Sequence, residues 1–393
     1  MMTLILFWSS VFLIAYTYIG FPLFVILRGF WWGRPYKSEE LTSLPLVSIV
    51  ISAYNESKTI AEKLDNILSL DYPRGKLEVV IASDGSTDGT DAIAERYKEQ
   101  GVKLLSLPHH GKSVALNAAV AESNGEILVF SDANSIYKSD AIQELVKPFA
   151  DPKVGGVAGN QIYKTEISRG SSSAGERAYW SFDRILKLSQ SKSGNTLAAT
   201  GAIYAIRMKL FRPIPDGVSD DFVISTSVIT QGFRLVFAPD AIAYEPVAAT
   251  NQIEFGRKVR VIIRSWRAFV FMKELLNPFR YRFYAIQLFS HKILRYLVVF
   301  PLLMLFLISP FLWKMGLIYQ MATIAQVVFY VCALLGLLIN KIRFGQMKML
   351  TIPFYFCMVN AASLVAIIKV LGGYQVKQWD PQRHGETQHE NVH

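Results

Sequence analysis

Four stretches of this chain carry no charged side chain: residues 1–27, 296–313, 315–340 and 349–368. No other feature restricts the fold as strongly. A hydrocarbon layer of roughly 30 Å takes about 20 apolar residues of helix to cross. Within that layer every backbone polar group must be bonded internally. The pattern predicts one membrane-spanning helix at the start of the chain and about three at the end. A cleaved export signal puts its positive charge ahead of a short apolar core. Here Arg28 and Arg34 follow the apolar run, so residues 1–30 read as a retained helix.

Flanking charge sets the orientation. Arg28, Arg34 and Lys37 follow the first span, His291, Lys292 and Arg295 precede the second, and Lys341, Arg343 and Lys348 lie between the third and fourth. The link between spans two and three holds only Lys314. The positive-inside rule therefore expects a cytoplasmic central domain and an external N-terminus, in a bacterial or archaeal plasma membrane. Four spans would leave the C-terminus outside, yet the end of the chain carries Lys369, Lys377 and Arg383. Either one apparent span is re-entrant or the tail departs from the rule.

The chain is 51% apolar, too much for an ordinary soluble enzyme, and its net charge is +10. Ten Lys or Arg lie between 257 and 295 against one acid, Glu274. In a membrane chain such charge points to anionic phospholipid or an anionic substrate, and not to nucleic acid. Both cysteines, Cys332 and Cys357, fall in predicted spans, so neither a disulfide framework nor a thiolate metal site is expected. The organisation read from these features is a membrane helix at 1–30, a catalytic domain at 45–250, basic amphipathic interfacial helices at 251–292, membrane helices at 293–371 and a polar tail at 372–393.

The central domain alternates strands with helices. "LPLVSIVISAY" reads as a strand ending near Tyr54, and "NESKTIAEKLDNILSL" as a helix capped by Asn55 or Ser57. A buried strand at 77–82, "VKLLSL" and "EILVFSDAN" repeat the plan, with "GKSVALNAAVAES" as a further helix. The order predicts an α/β fold with a mostly parallel, Rossmann-like sheet. Ligands of such sheets bind beyond the carboxyl ends of the strands, where Tyr54-Asn55-Glu56, Asp84 and Asp132-Ala133-Asn134 fall. Farther along, "GVAGNQIY", "LAATGAIYAIR" and "RLVFAPDAIAYE" read as strands and "DDFVISTSVITQG" as a helix.

Each polar cluster has a chemical and a plain reading. Asp84-Gly-Ser-Thr-Asp88-Gly is a turn whose carboxylate can accept from a base or ribose, or merely cap a helix. It matches neither the dinucleotide fingerprint, nor a phosphate loop, nor an EF-hand. Asp132 and Asn134 stand at i and i+2 on a strand end, as two oxygen ligands for Mg²⁺ or Mn²⁺ or as an Asx turn. Asp220 and Asp221 precede an apolar helix, one able to cap it and the other to act as a base. Lys112 opens a helix and can meet phosphate, or be a surface lysine.

Together these segments resemble the inverting, membrane-embedded family 2 glycosyltransferases, the group with cellulose, chitin, hyaluronan and poly-N-acetylglucosamine synthases and ceramide glucosyltransferase. The resemblance runs over about 45–300 and is carried by "VSIVISAYNES", "VVIASDGSTDGT", "HHGKSVALNAAV", "SDANS", "TGAIYAIR" and "SDDFVIS". It implies a GT-A type fold and a hexosyl transfer from a UDP-sugar. Asp84, with Tyr54 and Glu56, would hold the nucleotide base. Asp132 and Asn134 would reach the ribose, the diphosphate and the metal, and Asp221 would deprotonate the acceptor. In two places the chain departs from the pattern. Asn134 stands where a second Asp belongs, and a Gln/Arg-x-x-Arg-Trp motif is matched by Arg257-Lys-Val-Arg260 but followed by Val261.

Val cannot stack on a sugar, so the sequence favours transfer to a membrane lipid or lipid-linked acceptor over a processive synthase that exports a β-linked polymer. A non-catalytic scaffold, the third reading, is opposed by the filled Asp84, Asp132 and Asp221 positions. Four spans leave little room for a channel unless copies associate as a homo-oligomer. In "GRKVRVIIRSWRAF", helical spacing sets Arg260, Arg264 and Arg267 apart from Val259, Ile262, Ile263, Trp266 and Val270. That suits an interfacial helix. It equally suits Arg257 and Arg260 binding a donor diphosphate in bidentate fashion.

Overall fold

The computed structural model describes residues 1–37, 43–163, 174–246, 250–339 and 347–374, with the side chains of 174–181 left aside. Lys341, Arg343, Lys377, Arg383 and almost all of the predicted tail lie outside these residues. The chain divides into a membrane unit, Met1–Phe24, Thr250–Trp266 and Ala285–Tyr374, and a catalytic unit, chiefly Val25–Ala249 with Arg267–Tyr284.

In the catalytic unit the β-branched runs form strands as the sequence requires. Among the described residues the strands are β1 Val47–Ala53, β2 Leu77–Asp84, β3 Val102–Leu107, β4 Ile127–Asp132, β5 Ile136–Tyr137, β6 Val154–Tyr163, β7 Tyr204–Arg207 and β8 Arg234–Glu245. They make one eight-stranded sheet in the order β3-β2-β1-β4-β7-β6-β8-β5. Pairs β1–β2, β1–β4, β2–β3 and β6–β8 are parallel, while β4–β7, β6–β7 and β5–β8 are antiparallel. Every residue of β1 is buried. Its apolar side chains pack with Ile60, Leu64 and Ile67 of the next helix, Ile60–Leu68. Each such side chain contributes on the order of 1.5–3 kcal/mol by leaving water.

The strand order reverses between β1 and β4, and there Ser52 pairs with Asp132. The crevice of an α/β sheet opens at such a reversal, so the ends of β1, β2 and β4 carry the candidate residues to one edge.

Three local readings change. The helix after β1 starts at Ile60 rather than at the predicted caps, because Asn55 turns left-handed with φ +53°. Of "LAATGAIYAIR" only Tyr204–Arg207 is strand; the Gly201 carbonyl instead accepts the Asp132 amide at 3.1 Å. A helix at Ala174–Lys192, which the hydropathy pattern does not announce, interrupts the second half of the domain.

Among the described residues three helices are long and apolar enough to cross a membrane: Met2–Trp31, Leu317–Leu338 and Lys348–Leu371. The predicted second span differs. It is a pair of helices, Phe283–Leu297 and Val299–Met315, bent by 48°. Pro301 lacks the N–H that would bond to Leu297, so the break falls one turn before it. Among the described residues the C-terminal part therefore holds two single-helix spans and one bent pair, not three clear spans. Ile324, Val328, Leu334 and Leu338 are more than half exposed, as befits a helix whose solvent is lipid. The chain is a multi-pass integral membrane protein with a folded catalytic unit.

Candidate active site

Asp84 ends β2 and is 1% exposed. Its Oδ1 accepts from the amides of His110 and Gly111 at 2.8 and 2.9 Å, and Oδ2 accepts from Gly111 at 3.0 Å. The His109 ring lies against the same carboxylate, Nδ1 to Oδ2 3.0 Å, and stacks on Tyr54 with centroids 4.2 Å apart. Asp84 thus anchors the loop that delivers Lys112. Gly85 makes this possible: at φ +71°, a Cβ there would fall 2.8 Å from the His109 nitrogen. His109 is a neighbour that sequence reasoning passed over, although it stands in the quoted "HHGK".

The β1 and β2 loops are sewn together. Asn55 Oδ1 accepts from Thr87 N, and Asp88 accepts from Ser57 N and from Thr90. Burial raises the Asp88 pKa, but the bonds from Thr90 and Ser57 prevail and hold it below the ordinary carboxylate value. Glu56, 2% exposed, accepts from the Thr59 hydroxyl at 2.7 Å, and its amide donates to Thr90 Oγ1 at 2.8 Å.

Lys112 is the first residue of the helix Lys112–Ala121. Its Nζ lies 2.8 Å from Asp132 Oδ1 and 3.0 Å from Asp220 Oδ2, with 11% of the side chain exposed. The three charges line a small cleft with Gly201 and Tyr204. Gly201 is required here, because a Cβ would approach Asp132 Oδ2 to 2.7 Å. Asp220 opens the helix Asp220–Thr230 and is buried. Beside it, Asp221 Oδ1 accepts from Ser219 Oγ at 2.6 Å and from the Phe222 amide at 2.8 Å. Of the predicted residues, Lys112, Asp132 and Asp220 therefore meet directly, and Asp221 adjoins them in sequence.

Tyr204 was not singled out from the sequence, though it stands in the quoted "TGAIYAIR". Its ring is 1% exposed and stacks on Phe130 at 4.9 Å, and its hydroxyl is buried without a hydrogen-bond partner. Burial raises its pKa far above the ordinary value, with the carboxylates of Asp220, Asp221 and Asp132 adding to the effect.

Among the described residues no group of three or more His, Cys, Asp or Glu is placed to hold a metal. The smaller donor set does fit one. Asn134 Oδ1 is buried and accepts no hydrogen bond, two residues beyond the Asp132 carboxylate. A hard divalent cation often takes only one or two protein oxygens when a substrate diphosphate supplies others. Arg257 and Arg260 lie on the helix Asn251–Phe271, in its part that belongs to the membrane unit, and Arg257 pairs with Glu254 at 2.9 Å.

Residues 48–214 match the model of the glycosyl transferase family 2. The catalytic unit thus carries a glycosyl transferase family 2 segment. Over 259 residues it is 26% identical to the poly-beta-1,6-N-acetyl-D-glucosamine synthase of Staphylococcus aureus (strain COL), covering 64% of this chain and 62% of that one. The chain thus spans about three fifths of the length of this relative. Over 157 residues it is 36% identical to the beta-monoglucosyldiacylglycerol synthase of Nostoc sp. (strain PCC 7120), covering 38% and 33%. Among solved structures, a mannosyltransferase from Pyrobaculum calidifontis in complex with GDP-Man and Mn²⁺ superimposes with a TM-score of 0.69 at 25% identity. That match covers 93% of this chain and 99% of the other. The catalytic unit therefore has a GT-A type fold.

Proposed function

We propose that this glycosyltransferase elongates a membrane-held glycan by inverting, repeated transfer from a nucleotide sugar, with its catalytic unit in the cytoplasm. The match to the poly-N-acetylglucosamine synthase supports elongation over single transfer to a lipid, because it runs well beyond the shared donor domain. The Lys112–Asp132–Asp220 cluster at the sheet crevice carries the chemical reading.

In that reading the acceptor hydroxyl gives its proton to Asp221 as its oxygen attacks the anomeric carbon. The bond from that carbon to the diphosphate oxygen breaks, and the nucleoside diphosphate leaves from the opposite face. Lys112, already inside the cleft, offsets the charge gathering on the leaving diphosphate, which is worth most where water is excluded. Asp84 holds the Lys112 loop in place, and Tyr54 and His109 present stacked rings at the edge where a base would lie. Asp132 and Asn134 would hold Mg²⁺ or Mn²⁺, which neutralises diphosphate charge when bound.

Single transfer to a lipid remains the second reading. It is favoured by Val261, 46% exposed, where a sugar-stacking Trp is expected, and by the 36% identity to a glycolipid synthase. Incubating the purified chain with membrane lipids and radiolabelled UDP-N-acetylglucosamine, UDP-glucose or GDP-mannose decides between them. A ladder of long products is expected. One glycolipid carrying a single sugar would replace elongation with the second reading, and no product from any donor would defeat both.

A further inference from the structure

A lysine is buried beneath the donor-side turn. Lys63 belongs to the helix Ile60–Leu68, on the same face as Ile60, Leu64 and Ile67, and has no exposed surface. Lysines on such faces ordinarily run their stems along the core and keep the ammonium in water. Here the Nζ donates to the Ser135 carbonyl at 2.6 Å and reaches Ser135 Oγ at 3.3 Å. It also lies 3.8 Å from the centroid of the Tyr137 ring. Ser135 closes the turn that bears Asp132 and Asn134. Its amide donates to the Asp132 carbonyl at 3.3 Å. Its hydroxyl lies within 2.9 Å of that carbonyl, 3.1 Å of the Ala202 carbonyl and 3.0 Å of Ser131 Oγ.

The ammonium is thus the base of a polar network whose top is the cleft. Burial of a charge is costly without such partners, and a methionine would fill the same space with no charge to desolvate. What a methionine lacks is a donor fixed on one carbonyl and a positive potential under the carboxylate. Burial brings the Lys63 pKa down to about 7, against the opposing pull of Asp132 and Glu245, the carboxylates that face it.

We propose that Lys63 is a positioning residue: through the Ser135 carbonyl it sets where Asp132 and Asn134 present their oxygens to a divalent cation and the diphosphate that accompanies it. The proposal rests on the nucleotide-sugar reading and extends it to a residue behind the site. Binding of Mn²⁺ tests it, followed by electron paramagnetic resonance on the full chain in detergent, with UDP or GDP present. Lys63→Met should melt cooperatively yet bind Mn²⁺ about tenfold more weakly, the usual size of an outer-sphere defect. Lys63→Gln, which keeps an N–H donor without the charge, should fall between. A Lys63→Met affinity within about twofold of the parent overturns the proposal, even if its melting temperature drops. If that variant fails to melt cooperatively, Lys63→Gln is judged by the same limit. A parent chain that binds no Mn²⁺ with either nucleotide overturns the inference and the donor reading together.

Discussion

The catalytic and membrane units bury their apolar residues against different solvents. In β1, Ile49, Val50 and Ile51 have no exposed surface, whereas Leu334, Leu337 and Leu338 of the helix Leu317–Leu338 are 54%, 51% and 68% exposed. Both stretches are equally apolar on paper. Protein surrounds the first and lipid the second, so an identical deletion has opposite standing in the two places. Polar groups show the same contrast. In the catalytic unit buried charges converge on a cleft; in the membrane unit Gln326 donates to Ser309 Oγ at 2.8 Å and Asn360 to its own helix.

The comparison is sharpened most by the chemistry itself. Asp221→Asn should leave the fold and Mn²⁺–nucleotide binding intact and lower turnover by about 10²–10⁴, the span assigned to a positioned base. Turnover at the parental rate would remove Asp221 from its role. Next in size is core deletion. Ile51→Ala should destabilise the catalytic unit by about 2–5 kcal/mol in denaturant melts. Leu334→Ala on the lipid-facing helix should cost less than about 0.5 kcal/mol in the same detergent. Equal losses would mean that Leu334 is covered by protein.

Gly201→Ala should then separate packing from chemistry. The added methyl meets Asp132 Oδ2 at 2.7 Å, so the nucleotide-sugar KM should rise about tenfold while the melting temperature moves by only a few degrees. An unchanged KM would show that Asp132 is free to shift.

The smallest effect concerns pH. Folded Lys63 gives up its proton near 7 and the unfolded chain holds it to about 10.5. Between those values the unfolded state binds more protons, so stability rises with pH. The difference in melting temperature between the parent and Lys63→Met should therefore shift in the parent's favour from pH 7 to about pH 10. Above that, buried Tyr137 and Tyr204 titrate in the opposite sense. A difference that does not change with pH would place the lysine's charge in solvent.

Much of this is legible in the sequence alone. Runs such as "LEVVIASD" and "ILVFSD" end in polar residues because a buried strand must stop where it meets a ligand or water, so Asp84 and Asp132 announced the site edge. Pairing across long sequence separation was not legible. Lys112 and Asp220 both read as helix starts, and only the fold brings them to 3.0 Å. Lys63 carried the opposite of a signal, since a lysine inside an amphipathic helix is read as exposed. The bend before Pro301 was written in the sequence, but the absence of charge over 296–313 spoke more loudly. Asn55 shows a further limit, because its left-handed turn depends on a partner amide thirty-odd residues away.

The pairing of Ser52 with Asp132 has a consequence for populations of molecules. Side chains alternate along a strand, so a slip of one residue between β1 and β4 would turn Asp132 to the opposite face of the sheet and strand Lys112 without it. No intermediate placement exists, since the ladder admits only whole steps. Molecules that fold wrongly at this seam would be inert rather than slow. A preparation damaged there would lose active copies while the survivors kept their full turnover, so specific activity would count correctly registered sheets.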